Sequence, residues 1–144
     1  MGGSNGGLLM GNMMTQYPEL FGAIVCQVPL LDMKRYSHLL AGASWMDEYG
    51  DPDDPKQWEY IQTFSPYQLD RADRPSPPVL FTTSTRDDRV HPGHARKMAA
   101  KMLSEGKPVL LWDDMEGGHG GASTSDQKAT MWGLTYSFLW KELK

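Results

Sequence analysis

The sequence predicts an α/β fold in which a short parallel sheet is flanked by helices. Three apolar runs, residues 22–28, 79–84 and 109–112, have the length and composition of strands that are buried on both faces. Helical patterns precede the first run and follow the second and third, with an irregular insert over residues 29–77. Helices that alternate with strands in this way favour parallel pairing.

The two early helices are bounded by breaking and capping residues. One covers residues 4–17 and ends before Pro18. A shorter one begins at Asp54, with Pro55 at its first position and Gln57 completing a capping box.

The two later helices show apolar stripes at helical spacing. One follows Pro92 and ends at Gly106, and the other begins at Thr124, which is expected to form a capping box with Gln127. The stripes predict which face of each helix is buried. They are Ala95, Met98, Ala99, Met102 and Leu103 in the first, and Ala129, Trp132, Tyr136, Leu139, Trp140 and Leu143 in the second.

Composition and charge argue against several classes of protein. The 144 residues carry a net charge of −4, so no nucleic-acid partner is expected, and no apolar run is long enough to predict a membrane span. The single cysteine, Cys26, lies in an apolar run and is expected to be a buried thiol.

His91 and His94 flank Pro92 without a third ligand at a known spacing, so neither a metal nor another cofactor is expected. A cytoplasmic location is expected because residues 1–4 do not resemble a signal peptide, although a longer parent chain could carry one.

The first residues hold the most informative motif. Gly2-Gly3-Ser4-Asn5-Gly6 fits G-x-S-x-G, the nucleophile elbow of α/β-hydrolases, in which a serine occupies a sharp turn between a strand and a helix. Side chains two positions on either side of Ser4 are expected to collide with the turn, so glycine fits at both positions. A flexible glycine-rich loop gives the same letters, but an apolar helical pattern with Leu8, Leu9 and Met13 follows at once.

In an elbow a strand leads into the serine, and only three residues precede Ser4. We expect residues 1–3 to be too short to form that strand, which leaves three parallel strands and an uncovered apolar edge. The expected fold is therefore a truncated α/β-hydrolase that begins in the middle of its sheet.

An acid and a histidine follow Ser4 in the chain order that this fold uses. Asp87 and Asp88 come after the second predicted strand, and His119 lies in the glycine-rich loop after the third. Active residues of such sheets lie at the carboxyl ends of the strands, so these side chains are expected at one edge. Each alone is more often an ordinary surface residue, but their joint order favours a Ser-Asp-His triad.

The nucleophile segment, residues 2–9, resembles that of the prolyl oligopeptidase family of serine peptidases. Further segments similar to this family occur in order along the whole chain. They are Tyr17-Pro18-Glu19-Leu20-Phe21-Gly22, Gln27-Val28, Asp32-Met33, Trp45 with Tyr49-Gly50, Ser65-Pro66, Thr85-Arg86-Asp87-Asp88-Arg89-Val90 and Gly118-His119-Gly120. The resemblance implies that residues 1–144 are a single partial α/β-hydrolase catalytic domain.

The resemblance also implies roles for individual residues. Ser4 is the expected nucleophile, Asp87 (the first of the aspartate pair) the triad acid, and His119 the base. The backbone N–H of Asn5 is expected to donate to the oxyanion. Three further residues are implied in substrate binding, with the indole of Trp45 on a substrate proline ring, Tyr49 beside it, and the guanidinium of Arg89 on a substrate carbonyl.

Some parts of the family's domain have no counterpart in this sequence. They are the N-terminal sheet strands, a tyrosine that supplies the second oxyanion donor, and a β-propeller that screens out large substrates. Removing one oxyanion donor typically lowers the rate by ~10²–10³.

The first functional hypothesis is a serine peptidase of the prolyl oligopeptidase type that cuts short peptides after proline. Two alternatives stay open: a small esterase-like serine hydrolase without proline preference, and a catalytically silent fragment that acts as an oligomerising module. The uncovered edge also predicts a homo-oligomer, most simply a dimer, with residues 4–28 in its interface.

Overall fold

A computed structural model describes residues 1–144, which form a four-stranded parallel sheet with helices on both faces. Strands β1, β2, β3 and β4 lie in chain order across the sheet. They comprise Gly2–Gly3, Ile24–Gln27, Val79–Ser84 and Val109–Asp114. The predicted α/β fold with a parallel sheet and flanking helices is confirmed.

Six α-helices, α1 to α6, and four 3-10 turns connect the strands. The helices are Asn5–Gln16, Met46–Tyr49, Pro55–Ile61, Pro66–Leu69, Gly93–Ser104 and Ser125–Leu143. The turns are Pro18–Leu20, Tyr36–His38, Leu40–Trp45 and Gln62–Phe64. The irregular insert of the sequence is therefore a series of short helical pieces between β2 and β3.

The helix caps follow the sequence with one exception. Thr124 and Gln127 form the predicted capping box at the start of α6. The carboxylate of Asp54 caps α3 as expected. Gln57 does not complete a capping box there, because its Oε1 accepts the backbone N–H of Asp51 instead.

The expectation that residues 1–3 are too short to form a strand is wrong. Gly2 and Gly3 pair in parallel with Cys26 and Gln27, so the sheet has four strands rather than three. Pairing requires only backbone groups, and the N–H of Ser4 extends the ladder by donating to the carbonyl of Gln27 at 2.9 Å. Although β1 is short, its pairing with β2 fixes the backbone position of Ser4, the residue that follows it.

The two faces of the sheet are covered unequally. On the face of α1 and α5, Phe81 and Met98 belong to a core cluster of 11 buried residues. On the face of α6, Leu80 and Phe138 belong to a cluster of only 3. Cys26 is fully buried in β2, as predicted, and burial raises the pKa of its thiol.

The predicted buried face of α6 is wrong. The buried residues of the helix are Met131, Thr135 and Phe138, whereas the aromatic stripe is largely exposed, with Tyr136 at 60% and Trp140 at 71%. The helix carries apolar residues on two adjacent faces, and spacing alone does not distinguish which of them meets the sheet. In α5 the predicted stripe is buried except for Leu103, which is exposed.

A buried carboxylate fastens the loop after β2 to its surroundings. Asp32 accepts hydrogen bonds from Arg35 at 3.0 Å, from Gln68 at 2.8 Å and from Lys97. Burial acts to raise the pKa of Asp32, but these partners outweigh it and the pKa is lowered. The carboxylate is therefore charged and fully engaged.

A buried histidine ties the same loop to α5. The Nδ1 atom of His94 accepts the backbone N–H groups of Leu31 and Asp32 at 3.1 and 3.0 Å. Burial lowers the pKa of His94 to about 4, and the nearby Asp32 carboxylate only partly opposes this shift. His94 is therefore neutral in the folded chain near neutral pH, which keeps Nδ1 free of a proton and able to accept.

We expect the chain to lose stability as the pH falls from 6.5 towards 4. Unfolded His94 takes up a proton near 6.5, whereas folded His94 stays neutral down to about 4. The unfolded state then binds more protons across this window, so the free energy of unfolding falls by about 3 kcal/mol in total. Urea unfolding at stepped pH measures the slope.

Two variants control this measurement. His94→Gln keeps an acceptor for the two N–H groups but does not titrate, so its pH slope should be smaller than that of the unmodified chain. His38→Gln removes an exposed histidine and should keep the original slope. A full slope in His94→Gln would show that another group is responsible.

Candidate active site

Ser4 stands on a strained turn between β1 and α1. Its backbone has φ 56° and ψ −115°, a conformation that residues with side chains rarely adopt. A Cβ on Gly2 would lie 2.5 Å from the carbonyl oxygen of Gly6, so glycine is needed at that position. The expectation that a side chain at Gly6 would collide with the turn is wrong, because a Cβ there would meet no atom within 4 Å. One glycine of the motif, Gly2, thus has the predicted steric role.

The start of α1 lies close against the loop that follows β2. A Cβ on Gly7 would come within 2.7 Å of Pro29. Val28 begins the loop with a φ of 36°, which is rare for a β-branched residue, and its N–H donates to the carbonyl of Thr82 at 2.7 Å. Ser4 and Val28, the two residues with a positive φ here, therefore lie just before the two segments that touch, α1 and the loop after β2.

Asp87 is buried and its carboxylate is fully occupied. Its Oδ1 atom accepts the backbone N–H groups of Arg89 and Val90, each at 2.9 Å. Its Oδ2 atom lies 2.9 Å from Nδ1 of His119. The neighbouring Asp88 is exposed, so Asp87 is the member of the pair that contacts the histidine.

His119 belongs to the glycine-rich loop that follows β4. Because an ionised carboxylate only accepts, His119 Nδ1 carries the proton in this pair and Nε2 is left as an acceptor. No hydrogen bond joins Ser4 to His119 in the structure, and such bonds are often long until substrate is bound. The structure thus brings His119 and Asp87 together and leaves the Ser4 hydroxyl unbonded to the histidine.

Arg96, which the sequence did not single out, braces the two loops that carry Asp87 and His119. Its Nε donates to Oδ2 of Asp113 at 2.7 Å, and its Nη2 donates to Oγ1 of Thr85 at 2.9 Å. These partners stand at the carboxyl ends of β4 and β3. The only signal in the sequence is an arginine one turn into α5, which does not identify its partners.

Tyr49 contacts the residue after the predicted nucleophile. Its hydroxyl donates to Oδ1 of Asn5 at 2.5 Å, and its ring meets Tyr36 edge-to-face with centroids 5.6 Å apart. Burial, with a smaller contribution from Glu48, raises the pKa of Tyr49 to about 12. Tyr49 is therefore a neutral donor near neutral pH, and it orients the Asn5 side chain.

Trp45 and Arg89 approach the same region from different elements. Trp45 is half-buried and packs against a second core cluster that includes Leu8 of α1 and Val90 of the Asp87 loop. Arg89 is exposed, and its guanidinium forms no ion pair or hydrogen bond within the chain. Trp45 thus offers a partly exposed ring beside the cluster that joins α1 to the Asp87 loop, and Arg89 offers an unpaired guanidinium on that loop.

The other histidines of the chain are engaged elsewhere. His91 and His94 each use Nδ1 to accept backbone N–H groups, and His38 pairs with Asp53 at 2.6 Å. No group of three or more His, Cys, Asp or Glu side chains is arranged to hold a metal ion. None of the helices combines the length and hydropathy that crossing a membrane requires.

Comparison with known proteins identifies the family. The model of the prolyl oligopeptidase family matches residues 1–144. The chain belongs to this family. An uncharacterized peptidase of Sinorhizobium fredii is 48% identical over 143 residues, which are 99% of this chain and 20% of that protein. The resemblance stated from the motifs is confirmed.

Solved structures from the family share the fold. A chain from a structural and mechanistic study of two prolyl endopeptidases matches with a TM-score of 0.94 and 44% identity, over 99% of this chain and 21% of that one. Prolyl oligopeptidase B of Galerina marginata, in a serine-to-alanine variant bound to a 35mer substrate, matches with a TM-score of 0.90 and 30% identity, again over 99% and 21%. The chain therefore spans about a fifth of the length of these relatives.

The adjacent aspartates provide a matched pair of variants. Asp87→Asn puts an amide against His119 and disturbs its tautomer, so we expect the reaction of Ser4 with a fluorophosphonate probe to slow by up to about 10⁴-fold, the loss typical of a triad acid. Asp88→Asn makes the same chemical change at an exposed position and should alter the rate little. A larger loss in Asp88→Asn than in Asp87→Asn would overturn the proposed pairing.

Proposed function

We propose that the chain supplies the catalytic edge of a serine peptidase that cleaves short peptides after proline. The observation that carries the proposal is the 2.9 Å contact between His119 Nδ1 and the buried Asp87 carboxylate, combined with the strained turn at Ser4. Family membership supports peptidase chemistry, and the related solved structures include prolyl endopeptidases.

In the proposed reaction the Ser4 hydroxyl attacks the carbonyl carbon of the peptide bond. His119 Nε2 takes the hydroxyl proton as the O–C bond forms, and Asp87 stabilises the resulting imidazolium. The proton then passes to the leaving amine as the C–N bond breaks. Water repeats the sequence on the acyl-enzyme, which releases the carboxylic acid and restores Ser4.

The proposed oxyanion donor is the backbone N–H of Asn5. This N–H lies in the first turn of α1, where amide groups have no partner within the helix and the helix dipole is positive. The bond from Tyr49 to the Asn5 side chain supports the orientation of this residue. The family resemblance implies a second oxyanion donor, a tyrosine with no counterpart among these residues, so we expect the chain alone to react slower by ~10²–10³.

Proline recognition is proposed for Trp45, Tyr49 and Arg89. The half-buried indole of Trp45 offers an apolar surface for a proline ring, and Tyr49 packs on the same core cluster. The unpaired guanidinium of Arg89 is suited to a substrate carbonyl. The exposure of Arg89 and the partial burial of Trp45 support these roles.

Labelling with a fluorophosphonate, located by peptide mass spectrometry, tests the nucleophile. We expect Ser4 to be labelled and Ser4→Ala to abolish the label. Ser104→Ala, which changes an exposed serine at the end of α5, should keep it. His119→Ala should lower labelling strongly, because an unactivated hydroxyl is a poor nucleophile. A label that persists in Ser4→Ala refutes the assignment.

Two chromogenic substrates separate the functional alternatives. Hydrolysis of a Gly-Pro peptide together with a p-nitrophenyl ester supports the proline-specific peptidase. Hydrolysis of the ester alone supports the esterase-like alternative. Neither hydrolysis nor labelling of Ser4 supports a silent oligomerising module.

We also propose that the isolated chain forms a homo-oligomer, most simply a dimer. Tyr136, Trp140 and Leu143 line an open apolar cavity of about 450 Å³ on the outer side of α6. Leu143 also lies against Gly22, which connects this surface to residues 4–28, the region expected at the interface. Burial of apolar surface contributes about 25 cal/mol per Å², so burying several hundred Å² in a dimer contributes several kcal/mol. This is substantial beside the ~5–15 kcal/mol by which a domain is stable. The cytoplasmic location stays a prediction from the sequence.

Light scattering in dilute solution tests the proposed association. We expect a dimer for the unmodified chain and a shift towards monomer for Trp140→Ser, which removes the most exposed ring of the surface. Lys128→Ser, at an exposed polar position of the same helix, should leave the mass unchanged. A stable monomer of the unmodified chain at micromolar concentration contradicts the proposal.

A further inference from the structure

Three side chains outside the proposed triad meet where the chain leaves β3 and β4. They are Thr85, which follows β3, Asp113, which lies near the end of β4, and Arg96 of α5. Thr85 stands two residues before Asp87, and Asp113 stands six residues before His119. The three side chains therefore lie at the bases of the two loops that carry the proposed acid–base pair.

Each pair within this set of three is in direct polar contact. Nε and Nη2 of Arg96 both lie 2.7 Å from Oδ2 of Asp113. The same Nη2 donates to Oγ1 of Thr85 at 2.9 Å, and this hydroxyl donates to Oδ1 of Asp113 at 3.2 Å. Both carboxylate oxygens of Asp113 therefore have a partner, and the Thr85 hydroxyl is engaged as donor and as acceptor.

The set adds side-chain contacts at the point where backbone pairing between the two strands ends. The N–H of Thr85 donates to the carbonyl of Asp114 at 2.8 Å, and no backbone hydrogen bond joins the two loops beyond it. Arg96 enters here from a third element, the helix α5. It therefore ties the bases of the two loops to each other and to a helix.

The loop that carries His119 has little rigidity of its own. Four of the five residues from 117 to 121 are glycine, the residue with the largest conformational freedom to lose. The ring of His119 has a single hydrogen-bond partner, the Asp87 carboxylate, which is held by the backbone of its own turn. The placement of His119 against Asp87 therefore depends on how the bases of the two loops are joined.

The exposure of Arg96 distinguishes a positioning role from a general structural one. Its side chain is 42% exposed, and an exposed ion pair contributes little to the free energy of unfolding. Removal of the guanidinium should therefore alter the placement of the two loops more than the stability of the fold.

We propose that Arg96 is a positioning residue for the acid–base pair. By binding Asp113 and Thr85 together, it sets the separation of the two loops and holds Nδ1 of His119 at hydrogen-bond distance from Asp87. The proposal rests on the function proposed above, in which His119 and Asp87 are the base and the acid of a triad. Arg96 acts through these two residues and takes no part in bond breaking.

The rate at which a fluorophosphonate probe labels Ser4 tests this role. Arg96→Gln should slow labelling by about 10- to 100-fold, because misplacing a reacting group by about 1 Å can cost ~10² in rate. Arg96→Lys keeps the charge and a donor for Asp113, so it should recover part of the loss. Arg71→Gln makes the same change at an exposed arginine paired with Asp73 and should label as the unmodified chain does. Equal rates in Arg96→Gln and the unmodified chain overturn the proposal.

A double variant shows whether Arg96 acts through the acid. Asp87→Asn already removes the group that Arg96 helps to place, so adding Arg96→Gln should slow labelling little further. Changes that act through the same interaction are not additive, whereas independent changes multiply their effects on the rate. The full loss from Arg96→Gln in the Asp87→Asn background would show that Arg96 acts elsewhere.

Thr85→Val is a second variant that keeps the proposal open to refutation if Arg96→Gln does not fold. It removes the shared hydroxyl with little change of shape and leaves Arg96 bound to Asp113 alone. Labelling should slow in the same direction as in Arg96→Gln but by a smaller factor. An unchanged rate contradicts the proposed tie between the two loops.

NMR of the His119 ring gives a readout that needs no reaction at Ser4. In the unmodified chain the Nδ1–H held by Asp87 should give a downfield proton resonance that exchanges slowly with water. Arg96→Gln should broaden or abolish this resonance, and Arg71→Gln should keep it. A chain that does not label at Ser4 but shows this dependence on Arg96 contradicts the proposed function and supports the positioning role. A resonance that is absent from the unmodified chain, or unchanged in Arg96→Gln, overturns the positioning role.

Discussion

The site depends on the parallel pairing of β3, the strand whose six residues are all buried. Backbone pairs join it to β2 over Ile24–Gln27 and to β4 along its whole length. Since all strands run in the same direction, their carboxyl ends deliver the turn after β1 and the loops after β3 and β4 to one edge. A shift in the register of β3 would move Asp87 away from His119 without changing either residue.

Two buried carboxylates of this fold, those of Asp87 and Asp32, share the condition that each oxygen has a hydrogen-bond partner. The Asp87 carboxylate meets that condition through two backbone N–H groups of its own loop and the imidazole of His119. Asp32 meets it with side chains instead, from Arg35, Gln68 and Lys97. The consequence differs between the two carboxylates. Asp87 is oriented by a short local turn that stays open to a histidine, whereas Asp32 is fixed between three elements and acts as a structural anchor.

The sequence was informative where the pattern is local. The runs that form β2 and β3 and the Thr124 cap can be read from neighbouring residues, and so can the local motifs that contain Ser4, Asp87 and His119. The sequence failed where tertiary partners decide. Two glycines carry no side-chain pattern, so the sequence does not predict β1. The helix α6 has two apolar faces, and only the contacts of the folded chain decide which of them is buried, so the sequence does not predict it.

Contacts between distant segments are also beyond sequence patterns. Tyr49 and Asn5 are 44 residues apart, and Arg96 and Asp113 are 17 apart, so no periodicity relates the partners. The resemblance to a family indicated Tyr49 as a substrate-binding residue, but it did not indicate the bond to Asn5. The residue types of Asp87 and Asp88 do not distinguish them, and the burial that does so arises only in the folded loop.

The two halves of the proposed triad are attached to the sheet with unequal strength. Asp87 and His119 follow β3 and β4, which are joined by six register pairs, whereas Ser4 follows β1, which is joined to β2 by two. Local opening costs the least free energy where contacts are fewest, so the turn that carries Ser4 is expected to open more easily than the loops that carry Asp87 and His119. The missing bond between Ser4 and His119 lies where these two halves meet. Alignment of the serine therefore depends on what holds β1, and any strand that pairs with the free edge of β1 would stiffen the nucleophile without touching the acid–base pair.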